Sequence, residues 1–79
     1  MATKDISDIK VCEAIREYQL NNSIYADEIL MKMTNQVRKV CIKAMERAEN
    51  KDLIEYGVSL RTAWLTNKGL ELLKSNAKH

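Results

Sequence analysis

The sequence predicts a mostly α-helical fold with a small β-hairpin: a three-helix core, a two-stranded hairpin and a C-terminal helix. Three observations point there. The chain is 46% hydrophobic and 30% charged, with no Pro and two Gly, a balance suited to ordered helices. Apolar residues recur at helical spacing through most of residues 6–49. That period then breaks at DLIEYGVSLRTAWLTNKG, Asp52 to Gly69. There a β-prone run (Leu53, Ile54, Tyr56, Val58) is followed by a turn near Ser59-Leu60. A second run (Thr62, Trp64, Leu65) precedes Thr66, which opens another helix. A length of 79 residues predicts one domain.

The first helix is expected over about Ile6 to Asn21, with Asp5 or Ser7 as its cap. Val11, Cys12, Ile15 and Tyr18 form its apolar face. Asn21-Asn22-Ser23 reads as a loop. The second helix is expected over about Ile24 to Met33, with Ser23 as cap and Ala26, Ile29, Leu30 and Met33 facing inward. Asp27 and Glu28 fall in its early turns, where they suit the positive end of the helix dipole.

Thr34-Asn35 forms the next turn, and Asn tolerates left-handed backbone angles. The third helix is expected over about Gln36 to Glu49. Val37, Val40, Cys41, Ala44, Met45 and Ala48 lie on its inner side, and Arg38, Lys39, Ile42, Lys43 and Glu46 on its outer side. In the hairpin, Trp64 is expected as a core anchor facing Tyr56 across the strands. The last helix carries Leu70, Leu72 and Leu73, then a polar SNAKH tail.

The net charge is +2, but it is unevenly spread. Residues 1–31 carry three basic and six acidic side chains. Residues 32–43 carry Lys32, Arg38, Lys39 and Lys43 with no acid, and residues 61–79 carry four bases against Glu71. Positive charge gathered in two blocks suits a polyanionic partner. Cys12 and Cys41 sit among apolar residues and read as reduced core thiols, and the lone His is residue 79. No metal or cofactor is therefore expected. No Ser/His/Asp or Cys/His set and no Gly-rich phosphate loop is present, so an enzyme is not expected. No apolar run approaches a membrane span and no secretory signal is evident; the expected location is cytoplasmic.

The run from Asp27 to Tyr56, DEILMKMTNQVRKVCIKAMERAENKDLIEY, resembles the core of bacterial and archaeal winged helix-turn-helix regulators. Those proteins have an "ELA" helix, a turn, a helix ending "ALxxLExxGLI", and a β wing. Glu28-Ile29-Leu30-Met31 matches the first element; Ala44-Met45, Ala48-Glu49 and Leu53-Ile54 match the second without a gap. Leu65-Thr66-Asn67-Lys68-Gly69 resembles the "LTxKG" that closes the wing. The likeness covers about half of the chain directly. The chain departs from the pattern at Asp52 and Asn35, where Gly is usual, and at Val37, where Ser or Thr caps the recognition helix.

The resemblance implies double-stranded DNA binding by a small transcriptional regulator, with the third helix in the major groove. The side chains placed to do this are Gln36, Arg38, Lys39, Ile42 and Lys43. Arg forks onto guanine, Gln onto adenine, and an apolar side chain meets a thymine methyl. Ile42 also reads as a partly buried helix edge, and the whole basic face as a solvated one. Lys32 and Lys68 are candidates for phosphate contacts, and Arg61 for the minor groove or a phosphate. Tyr18, Leu20, Leu70, Leu72 and Leu73 exceed what one small core needs, which suggests a homodimer through the first and last helices. The alternative reading is an adaptor or phage-type inhibitor whose scaffold binds a protein, such as a component of transcription machinery, rather than DNA.

Overall fold

The structure is a computed structural model that describes residues 6–21 and 24–77. The described residues form four helices, α1 (Asp8–Leu20), α2 (Ala26–Thr34), α3 (Arg38–Asn50) and α4 (Asn67–Ala77), and a two-stranded antiparallel sheet. The strands are β1 (Ile54–Glu55) and β2 (Trp64–Leu65), and a 3-10 turn, Leu60–Thr62, lies between them. The chain is thus mostly helical with a small hairpin.

Local chemistry sets the helix ends. Ser7 caps α1, its hydroxyl accepting from the Lys10 N–H at 3.2 Å. The other candidate, Asp5, lies outside the described residues, as does Ser23. The α2 cap position is instead Tyr25, which gives no side-chain hydrogen bond. Val37 likewise precedes α3 without a capping bond.

The end of α3 is a Schellman motif. The Leu53 N–H reaches the Ala48 carbonyl at 3.0 Å, and the Asp52 N–H reaches the Glu49 carbonyl at 3.0 Å. This places Asp52 in the left-handed region, at φ 64°. Asn35, at the end of α2, is left-handed too, at φ 57°. Both positions where Gly was usual in the resembling proteins therefore have the backbone that favours Gly, filled here by the two side chains that tolerate it best.

The core is built from the apolar stripes of α1, α2 and α3, closed by Leu53, Ile54, Leu65 and Leu73. Ile15, Leu30, Met45 and Ile54 are fully buried, each worth about 1.5–3 kcal/mol of transfer free energy. Cys12 and Cys41 are buried free thiols. Burial first, then the nearby Asp8 and Glu13, pushes Cys12 up to about 11. Burial also raises Cys41. Both remain protonated and inert at neutral pH.

Four expectations about packing change, the first being Met33, placed inward on α2 but exposed at the end of its stripe. Trp64 is 41% exposed rather than a core anchor. The register pairs Glu55 with Trp64 and Ile54 with Leu65, so Tyr56 does not face Trp64. The Trp64 ring lies beside Gly57 instead, 3.8 Å from where a Cβ would stand. Val37 is 64% exposed although it was assigned to the inner side. As the residue before the first helical position, it follows a different direction from the α3 stripe.

Asp8 ties the start of α1 to the end of α3. Its carboxylate holds Arg47 Nε at 3.1 Å and Lys51 Nζ at 2.8 Å, while Arg47 also donates to the Ile6 carbonyl. Burial by itself raises the Asp8 pKa, but the Lys51 and Arg47 contacts outweigh it and hold the carboxyl below its ordinary 3.8. A depressed carboxylate stabilises the fold fully above its unfolded value and loses that contribution as pH falls through the folded one. The wild type is therefore expected to melt above an Asp8→Asn variant at neutral pH, by about 1 kcal/mol of stability. That difference should shrink as pH drops below 3.8. A constant difference from neutral pH to pH ~2 would remove Asp8 from the acid response.

Candidate nucleic-acid interface

The connection between α2 and α3 is three residues long, Asn35 to Val37. Its left-handed Asn35, whose N–H returns to the Met31 carbonyl at 2.8 Å, reverses the chain. The result is two packed helices joined by a three-residue turn. Cys41, Ala44, Met45 and Ala48 bury one side of α3. Its other side faces outward.

Lys39 and Lys43 lie on that outward side, both exposed and one helical turn apart. Neither pairs with a carboxylate among the described residues. Gln36 is half-buried in the turn. Ile42 is half-buried and packs against the core, as a helix edge does.

Lys32 and Lys68 are not part of this face, and Arg61 meets its edge only through the Asp27 carboxylate that it shares with Arg38. Lys32 lines a groove on the α1 side of α2, with Glu17, Asn21, Ile24, Ile29 and Met33. Lys68 belongs to the start of α4, which docks on Leu53 beyond the C-terminal end of α3. A helix of 13 residues is ~20 Å long at 1.5 Å per residue, which separates Lys68 from the entry end of α3.

Arg61 is held against the protein. Its Nε donates to Asp27 Oδ1 at 3.2 Å, one terminal nitrogen reaches Glu28 Oε2 at 3.0 Å, and the guanidinium lies 4.2 Å from the Tyr25 ring centroid. The Asp27 hydrogen bond raises the Arg61 pKa further above its ordinary value. Arg61, a candidate for the minor groove or a phosphate, here fastens the 3-10 turn to α2.

The residue that reasoning misjudged is Asp27. It stands in the first turn of α2 as expected, but it is 0% exposed. Its second oxygen, Oδ2, lies 3.0 Å from Nε of Arg38 on α3. That contact is an ion pair off the hydrogen-bonding axis, since Oδ2 has no aligned donor. One buried carboxylate thus joins α2, α3 and the hairpin. A signal was present: Asp27 precedes Leu30 by three positions, which puts it on the buried stripe of α2. A charge there survives only if paired.

The surplus apolar residues of α1 and α4 also shrink. Leu73 is buried, and Tyr18 and Leu72 pack partly against the core. Leu20, 73% exposed, and Leu70 remain on the surface. Among the described residues no helix is long and apolar enough to cross a membrane. No protein-family profile, curated protein or solved structure matches the chain.

Proposed function

We propose that the chain is a winged helix-turn-helix domain that binds double-stranded DNA sequence-specifically, as a small cytoplasmic transcriptional regulator. The observation that carries this reading is the exposed α3 face. Lys39 and Lys43 stand one turn apart on it, without carboxylate partners among the described residues, behind a three-residue turn. Lysines so placed neutralise phosphates along one groove, which supplies affinity; side chains near the start of α3 supply base choice. The hairpin serves as a brace, because Arg61 is engaged by Asp27 and Glu28.

A second reading has its own support. Val58, 95% exposed, lies in the hairpin connection with exposed Tyr56, and exposed Trp64 follows on β2. Apolar side chains on one surface loop suit a protein partner. Gel retardation separates the two. At low salt, the protein is expected to retard a random duplex, with retention falling steeply as salt rises. Absence of any shift at low salt removes the DNA reading and leaves the adaptor.

A further inference from the structure

Asp27 and Arg38 form an arrangement whose use goes beyond fastening helices together. The Asp27 carboxylate is fully buried, and its Oδ1 is committed to Arg61. Its Oδ2 lies 3.0 Å from Arg38 Nε and lacks an aligned donor. Arg38 is the first residue of α3, its side chain is 55% exposed, and no other carboxylate among the described residues pairs with it. The buried acid therefore holds the inner edge of the guanidinium. The close contact is made through Nε rather than through a terminal nitrogen.

We propose that Asp27 is a positioning residue for base recognition, presenting the terminal fork of Arg38 to O6 and N7 of a guanine. This rests on the DNA reading above and adds to it a base and the residue that selects it. The chemistry is specific. A guanidinium has a planar fork matching the two guanine acceptors, whereas an ammonium does not. A long side chain already drawn to a buried charge loses less rotamer freedom on binding than one free in solvent. Arg61 contributes indirectly: by occupying Oδ1, it leaves Oδ2 as the oxygen that faces α3.

The test is selection of bound sites from random duplexes by the wild type, Arg38→Lys and Asp27→Asn, each checked for folding by circular dichroism. The wild type is expected to select a guanine at one position of each site. Arg38→Lys should lose that preference by on the order of tenfold or more. Asp27→Asn should broaden the same position and leave the others as selective as before, an effect that mere loss of stability would not produce. If Arg38→Lys selects the same guanine, or the wild type binds duplex without one, this inference fails while the DNA reading stands. A folded Asp27→Asn with unchanged preference removes Asp27 from the role. If no duplex is retained by any of the three, both fall.

Discussion

Replacing Gly69 with alanine is expected to destabilise the protein by about 3 kcal/mol, lowering its melting temperature by roughly 15 °C. Gly69 is in the first turn of α4, where alanine would ordinarily gain about 1 kcal/mol in helix propensity. The surroundings reverse that sign. A Cβ there would stand 2.2 Å from the Leu53 carbonyl oxygen, 3.1 Å from Leu65 Cδ2 and 3.2 Å from the Leu53 carbonyl carbon.

The carbonyl has no freedom to retreat. It accepts from the Thr66 N–H at 3.1 Å, and Leu53 is itself fixed by the turn that ends α3. The Thr66 hydroxyl holds the same junction from both sides, accepting from the Gly69 N–H at 3.1 Å and donating to the Asp52 carbonyl. The clash therefore pushes α4 off the hairpin. Chemical denaturation followed by circular dichroism reads the change. A Gly69→Ala protein within about 1 kcal/mol of wild type would show that α4 does not approach Leu53 this closely.

The second large effect concerns binding. The double variant Lys39→Ala, Lys43→Ala is expected to lose affinity for duplex DNA by on the order of 10²-fold at about 50 mM salt, with its circular dichroism unchanged. Each lysine that neutralises one phosphate contributes about 0.9 to the slope of log affinity against log salt, so losing two reduces the slope by ~2. From about 1 M down to about 50 mM salt is ~1.3 decades, which gives the stated factor. Both residues are exposed and unpaired among the described residues, so folding is not expected to suffer. Equal affinity and equal slope for the variant and wild type would move the interface away from α3.

These two cases differ in how far the sequence foretold them. Thr66 as a helix cap and Lys39 with Lys43 on one helix face follow from residue type and spacing alone. So do the three-helix core, the hairpin and the buried cysteines. Left-handed backbone was legible at Asn35, from the tolerance of Asn for it, but not at Asp52, which showed only as a departure from glycine. The steric role of Gly69 was not visible, because it depends on Leu53, sixteen positions earlier in the chain.

Arg61 and Trp64 show the same boundary from the other side. A lone cation in a hairpin loop reads as free until an acid is found against it, and the acid belongs to a helix 33 and 34 positions away. Trp64 reads as core from its size, but β2 turns Leu65 inward and so leaves Trp64 on the outer face. Its ring covers Gly57 instead.

Periodicity and local chemistry by themselves determined which segments are helical, where their chains stop, and which basic side chains share a face. These depend on interactions within about one turn of helix or one reversal of chain. Only the tertiary structure decided which cations stay free and which are held. Asp27 is the reason. Its buried carboxylate draws Arg38 and Arg61 from two other elements, and a charge taken out of water is tolerated only when such partners meet it.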